Sequence, residues 1–229
     1  MNETERLLQK HRNEFHKVVD FDPATEKLYR FDLTSANSEL NGAMTEDTEK
    51  FSAYIDSKLK SAGCKFGIGG YNENRTLYRR SKLFEGAEPR TVHLGTDIWG
   101  AAGTSVYAPL GGTVHSFAGN NEFGDYGATV ILQHQLDTMV FFTLYGHLGA
   151  DDLVQLQEGK YISRGEVIGY FGKPHENGGW PPHLHFQVIR DMRLHKGDYP
   201  GVCTISERDK YLAICPDPDL VLDMMKYLC

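Results

Sequence analysis

Short apolar runs, separated by glycine, proline and asparagine, dominate the chain between about residues 64 and 190. Runs of this length that are rich in β-branched and aromatic residues and bounded by turn formers predict β-strands. They read SVYAPL, GTVHSFA, ATVILQH, MVFFTLY, EVIGYF and LHFQVI. The pattern predicts a mainly β core of mostly antiparallel strands over residues 64–195.

Two segments of this core resemble each other. GTSVYAPLGGTVHSFAG and GKYISRGEVIGYFG both read as strand, glycine-containing turn and strand. Paired segments of this form resemble the two halves of a barrel-sandwich, or duplicated hybrid motif. We therefore expect an antiparallel barrel-sandwich core.

Helical patterns flank the core on both sides. Apolar residues among charged ones predict an amphipathic helix over about residues 2–19. A second helix is predicted over about residues 51–62, with Gly63 placed to end it. We expect a helical N-terminal extension over residues 1–63 and a helical C-terminal tail, packed on the core, over residues 196–229.

Charge and hydropathy restrict the expected partners and location. The formal net charge is -7, which gives no basic surface for nucleic acid. The first residues carry no uninterrupted apolar segment of the signal-peptide kind, and no apolar stretch is long enough to span a bilayer. These features predict a cytoplasmic protein without a nucleic-acid or membrane partner.

The cysteines do not form a recognisable framework. The chain has four of them and no C-x-x-C spacing. Four scattered cysteines in 229 residues are too few for a disulfide scaffold. We expect free thiols at Cys64, Cys203, Cys215 and Cys229.

Candidate chemistry is concentrated in a few histidines of the β core. In RTVHLGTDIWG, His93 precedes Asp97 by four residues. In PPHLHF, His183 and His185 are two residues apart, so in a strand both imidazoles face one side while the apolar residues face the other. Imidazole nitrogen and carboxylate oxygen are both good zinc ligands.

These residues suffice for a catalytic zinc site, which uses three protein ligands and keeps a fourth position open. His93, Asp97 and one histidine of the H-x-H pair supply three ligands. The other member of the pair and His147, at the end of the run MVFFTLYGHL, would then lie near the metal without binding it. The spacing does not decide which member of the pair is the ligand.

Three motifs together carry a family resemblance. HLGTD, YGHL and PPHLHF resemble, in order, the H-x-x-x-D, Y-x-H-L and H-x-H motifs of the lysostaphin-type, or LytM-like, zinc metallopeptidases, over about residues 64–190. The resemblance implies the duplicated hybrid fold and zinc-dependent endopeptidase activity on peptidoglycan cross-links. It also implies one zinc ion per chain, held by His93, Asp97 and His185, with His183 and His147 as general base and transition-state stabiliser.

Residues around these motifs are candidates for substrate binding. Tyr71 and Arg75 precede the first ligand, and Trp180 lies in the loop GKPHENGGWPP beside the H-x-H pair. Packing of the aromatic rings and a solvated Arg75 are the alternative interpretation. The expected substrate is a peptide, either derived from peptidoglycan or small and intracellular.

Two other functions are compatible with the same fold. One is a binding module without catalysis, which the complete ligand set argues against. The other is a histidine phosphocarrier like the glucose-type enzyme IIA proteins, which uses two facing histidines and needs neither Asp97 nor a metal.

Overall fold

The computed structural model describes residues 1–229, and its helices lie towards the two ends of the chain. The α-helices are α1 (Glu3–Lys10), α2 (Gly42–Thr45), α3 (Thr48–Ala62), α4 (Arg208–Ile214) and α5 (Asp219–Leu222). Short 3-10 turns occupy Arg12–Glu14, Leu77–Arg80, Lys82–Phe84, Ala150–Leu153 and Met225–Tyr227. None of the helices has both the length and the apolar character that a bilayer crossing requires.

Twelve strands make up the rest of the regular structure. The first six are β1 (Leu28–Arg30), β2 (Phe66–Gly69), β3 (Val92–His93), β4 (Thr96–Trp99), β5 (Ser105–Tyr107) and β6 (Gly112–Asn120). The other six are β7 (Gly127–Leu136), β8 (Met139–Leu148), β9 (Tyr161–Ile162), β10 (Val167–Tyr170), β11 (His183–Ile189) and β12 (Val202–Cys203).

Eight of the strands form one sheet in the order β1-β2-β4-β11-β8-β7-β6-β9. Its neighbours are antiparallel except β1 and β2. Two small antiparallel sheets pair β5 with β10 and β3 with β12. The mainly β, mostly antiparallel prediction is confirmed. The large sheet is open, with β1 and β9 at its edges, and the barrel-sandwich arrangement stays a prediction.

The centre of the large sheet is buried on both faces. On β7, Val130 and Leu132 pack in the largest apolar cluster, whereas Ile131 between them packs with Leu144 of β8 in a second cluster. In strands that are buried on both faces, apolar residues need not alternate with polar ones along the sequence. This explains why ATVILQH and MVFFTLY are almost continuously apolar.

The predicted first helix is shorter than expected. Helix α1 ends at Lys10 and is followed by the 3-10 turn Arg12–Glu14, and the chain leaves helical structure at Phe15. There the backbone N–H of His16 donates to the carbonyl of Pro109, and that of Tyr107 donates to the carbonyl of Val18. Hydrogen bonds to the core therefore replace the helix over residues 15–19. The second helix, α3, ends as predicted at Gly63, whose φ of 64° is the left-handed conformation that glycine favours.

Residues 1–63 are not purely helical, which corrects the prediction for this region. They contribute β1 to the large sheet, where Leu28 lies opposite Phe66 of β2. The reason is tertiary pairing, since three residues carry too little local pattern to predict a strand. The C-terminal tail has the predicted helices and also β12, which pairs with β3. Hydrogen-bonded strands therefore cross both predicted domain boundaries.

The side chain of Phe31 packs the N-terminal extension against the large sheet. Its side chain is 2% exposed, and its ring centre lies 5.0 Å from that of Trp99 on β4. A Cβ atom placed on Gly67 of β2 would lie 2.2 Å from the Phe31 ring. The glycine thus creates the space into which this aromatic ring packs.

Replacing Phe31 with alanine is expected to lower the free energy of unfolding by about 3–5 kcal/mol, because the lost ring leaves a cavity in the core. Urea denaturation measures the change. Phe123→Ala is the control, since that phenylalanine is 47% exposed. Equal losses in the two variants would contradict the packing role of Phe31.

Candidate metal centre

Three strands bring the predicted ligands together. His93 ends β3, Asp97 lies on β4 and His185 lies on β11. In the antiparallel pairing of β4 with β11, the Cα atoms of Asp97 and His185 are direct partners. Directly opposite residues project their side chains to the same face of a sheet, so the two groups meet.

The three donor atoms form a small triangle. His93 Nε2 lies 2.9 Å from His185 Nδ1 and 3.3 Å from Asp97 Oδ1, and His185 Nδ1 lies 3.1 Å from Asp97 Oδ1. Ligand atoms around a tetrahedral zinc ion are about 3.3 Å apart, given bonds of about 2.0–2.1 Å. The residues are 2–3% exposed. Both the spacing and the donor types therefore fit zinc.

The hydrogen bonds on the far side of each ligand ring determine which nitrogen is protonated. His93 Nδ1 donates to the carbonyl of Gly70 over 2.9 Å, and His185 Nε2 donates to Gln187 Oε1 over 2.9 Å. The amide of Gln187 is itself oriented, because its nitrogen donates to the carbonyl of Pro200. In the neutral rings, the nitrogens that face each other therefore carry lone pairs.

Two lone pairs and a carboxylate oxygen thus converge without a donor hydrogen between them. Such an arrangement is repulsive unless a proton or a metal cation lies between these atoms. Burial, together with the positive charge of Arg75, lowers the pKa of His93 to about 3, so its ring is neutral near pH 7. Burial opposes ionisation of Asp97, but the positive charge of the neighbouring Arg75 outweighs it and holds the pKa of this carboxyl well below its usual range.

Arg75, predicted as a substrate-binding residue, is hydrogen-bonded to Asp97, a predicted metal ligand. Its Nη1 donates to Asp97 Oδ2 over 2.5 Å, and its Nε donates to Glu73 Oε2 over 2.7 Å. The Arg75 side chain is 3% exposed. Oδ2 of Asp97 is therefore occupied, and only Oδ1 faces the two histidines.

His147 and His183 lie beside this triangle. Their ring centres are 4.1 Å apart, and His183 Nε2 lies 3.9 Å from Asp97 Oδ1. His183 Nδ1 donates to the carbonyl of Pro181, and His147 Nδ1 donates to that of Asn177. Burial lowers the pKa of His183 to about 4 and that of His147 well below its usual value. Both neutral rings therefore keep Nε2 free to accept a proton.

The backbone at His147 adopts an uncommon conformation. Its φ is 64°, in the left-handed region that a non-glycine residue seldom occupies. The backbone N–H of His147 donates to the carbonyl of Tyr126 over 2.7 Å. This bond and the Asn177 contact hold the strained residue, as is common at functional sites.

A cavity of about 200 Å³ is lined by His93, Asp97, His147, His183 and His185, among other residues. Trp180 lines it and is held in place by a hydrogen bond from its Nε1 to the carbonyl of Asp125. Tyr71 does not line the cavity, and its hydroxyl donates to the carbonyl of Cys215. Arg75 and Trp180 both line the cavity, but the Arg75 side chain is hydrogen-bonded to Asp97. Among the three predicted substrate-binding residues, only Trp180 therefore lines the cavity without a bond to a predicted metal ligand.

Three further site residues were not predicted from the sequence. Gln187 orients His185 through a hydrogen bond. It lies two residues further along the same strand, so strand alternation alone would have placed its side chain on the same face as that of His185. Asn177 is fully buried and fixes the loop that carries Trp180, whose backbone N–H donates to Asn177 Oδ1. Tyr126 places its hydroxyl 3.4 Å from His185 Nε2, from a loop with no periodic pattern.

The fold brings together, on a β scaffold, a buried group of residues that could hold a metal ion, and the chain was compared with known proteins. Residues 91–197 match peptidase family M23. This segment contains the five site residues His93, Asp97, His147, His183 and His185. This match agrees with the resemblance seen in the three motifs.

Several relatives are similar to the chain. The L-Ala–D-Glu endopeptidase of Bacillus subtilis (strain 168) is 26% identical over 155 residues, which cover 66% of this chain and 44% of that protein. A zinc-containing peptidase from Vibrio cholerae is 29% identical over 43% of this chain and 27% of that chain, with a TM-score of 0.35. The catalytic domain of lysostaphin from Staphylococcus simulans is 19% identical over 75% of this chain and 97% of that chain, with a TM-score of 0.43. The chain thus spans less than half the length of the Bacillus subtilis relative.

Replacing Arg75 with methionine is expected to weaken zinc binding about 10–100-fold, because Asp97 loses the bond that orients it. Competition with a chelating dye measures the affinity. Arg79→Met is the matched control, since Arg79 is exposed. Unchanged or tighter binding in Arg75→Met would show that charge repulsion from the guanidinium outweighs its positioning of Asp97.

Proposed function

We propose that the protein is a zinc metalloendopeptidase that hydrolyses peptide bonds. The observation that carries this proposal is the triangle of His93 Nε2, Asp97 Oδ1 and His185 Nδ1, whose lone pairs converge on one point. Zinc held there supplies a Lewis acid that polarises a peptide carbonyl and eases the deprotonation of water. The family match and the zinc-containing relative support this choice of metal.

His183 and His147 are proposed to move the protons. Each is neutral, and each has Nδ1 bound to a main-chain carbonyl, so Nε2 is the atom that accepts a proton. His183 Nε2 is near the ligand triangle, 3.9 Å from Asp97 Oδ1, and this position suits a general base for the attacking water. A protonated ring can then stabilise negative charge on the carbonyl oxygen or donate to the leaving amine.

The substrate is proposed to be a peptide, of the kind found in peptidoglycan or short and free. The Bacillus subtilis relative is named as an L-Ala–D-Glu endopeptidase, which supports a wall-type peptide. The five site side chains are at most 5% exposed, and the cavity measures about 200 Å³, so the site suits a short peptide better than an intact polymer.

Removing a ligand is expected to remove zinc. His93→Ala and Asp97→Ala should each reduce the metal content from about one ion per chain to a small fraction, because two donors hold zinc far more weakly than three. Metal analysis of dialysed protein measures this. His175→Ala is the control, since His175 is exposed and lies outside the cavity. A wild-type protein that keeps no zinc would contradict the proposal and favour the phosphocarrier alternative.

Removing a proton carrier is expected to leave zinc bound and reduce turnover. His183→Ala and His147→Ala should each lower kcat about 10²–10⁴-fold, the usual contribution of a general acid or base. The assay compares muropeptides, peptides with an L-Ala–D-Glu bond and short L-peptides, again with His175→Ala as the control. Turnover of intact peptidoglycan at the rate of short peptides would contradict the restriction to short substrates. Full activity in both variants would contradict the assigned roles.

A further inference from the structure

Two cysteines far apart in sequence meet at the edge of the large sheet. Cys64 lies between α3 and β2, and Cys229 follows the 3-10 turn Met225–Tyr227. Their sulfur atoms are 4.0 Å apart, although 165 positions separate them in the chain. The other two cysteines, Cys203 and Cys215, are buried.

Hydrogen bonds of the main chain hold both cysteines in place. The N–H of Cys229 donates to the carbonyl of Leu28 over 3.0 Å, beside a parallel bridge between Leu28 and Leu228. The N–H of Cys64 donates to the carbonyl of Leu59, at the end of α3. A disulfide needs the sulfur atoms about 2 Å apart, so they must approach by about 2 Å. Rotation of the exposed Cys229 side chain provides a movement of this size.

We propose that Cys64 and Cys229 form a dithiol site that a small organic disulfide oxidises to an intramolecular disulfide bond. The Cys229 thiolate attacks one sulfur of the oxidant, forming a mixed disulfide and releasing one thiol. The Cys64 thiolate then attacks the Cys229 sulfur and releases the second thiol. The two cysteines lose two electrons and two protons, and the oxidant is reduced to two thiols.

Solvent exposure of the thiols determines this order of attack. It also explains why the other two cysteines do not react. Cys229 is exposed and open to the oxidant, whereas Cys64 is 9% exposed and its pKa is raised by burial. Burial raises the pKa of Cys203 to about 11 and that of Cys215 to about 12, with exposures of 1% and 0%. These two thiols are both inaccessible and protonated, so they do not compete.

The bond would constrain the part of the sheet that supports the metal centre. Cys64 leads directly into β2, in which Gly69 lies opposite the ligand Asp97 of β4. Cys229 is hydrogen-bonded to β1, the edge strand next to β2. A crosslink that closes a loop of 165 positions restricts the unfolded chain strongly. Oxidation is therefore expected to raise Tm by roughly 10 °C.

Titration of the full chain with oxidised glutathione tests the proposal. Peptide mapping without reductant should find Cys64 joined to Cys229, with a loss of about 2 Da for the two hydrogens removed. The rise in Tm should disappear when dithiothreitol is added. Cys64→Ser and Cys229→Ser should each fold like the wild type and show neither the internal crosslink nor the rise in Tm.

Three results would overturn the proposal. The first is glutathione that remains on Cys229 of the wild-type protein while Cys64 stays reduced. The second is a crosslink between two chains through Cys229. The third is an internal crosslink between Cys203 and Cys215 in place of the proposed one. All three are measured on the wild-type protein. Because Cys229 is exposed, its replacement by serine is expected to leave the fold intact, so this variant shows whether an observed crosslink requires Cys229.

Discussion

The register between β4 and β11 is the constraint on which the candidate metal centre depends. It sets Asp97 opposite His185 and Trp99 opposite His183. Because side chains alternate between the faces of a strand, a slip by one residue would send both histidines into the apolar core. It would also bring Leu184, which is fully buried, to the site. The apolar residues of β11 therefore fix the register, and the register places the ligands.

The loops around the site determine which nitrogen of each histidine ring carries the proton. Main-chain carbonyls of Gly70, Asn177 and Pro181 each accept a hydrogen bond from the Nδ1 of one histidine ring. Main-chain acceptors do not change when a side chain is substituted, so the protonation pattern of these rings depends on loop conformation. Of the four site histidines, only His185 donates its ring N–H to a side chain, that of Gln187.

The sequence predicted those parts of the structure that depend on local periodicity. The buried strands, the end of α3 at Gly63 and the shared face of His183 and His185 all follow from spacing along one segment. The role of Arg75 could not be predicted, because its contact with Asp97 joins residues on separate segments. Strand β1 could not be predicted either, since its formation depends on pairing with β2. Neither feature leaves a pattern in a single sequence.

The pairing of β12 with β3 extends the structural unit beyond the segment that matches the family. Val202 of β12 lies opposite the predicted ligand His93, and the N–H of Leu94 donates to the carbonyl of Gly201. Both contacts come from residues that follow position 197, where the family match ends. A fragment cut to residues 91–197 would leave the strand of its first ligand without a partner. The family segment therefore lacks the strand that pairs with β3.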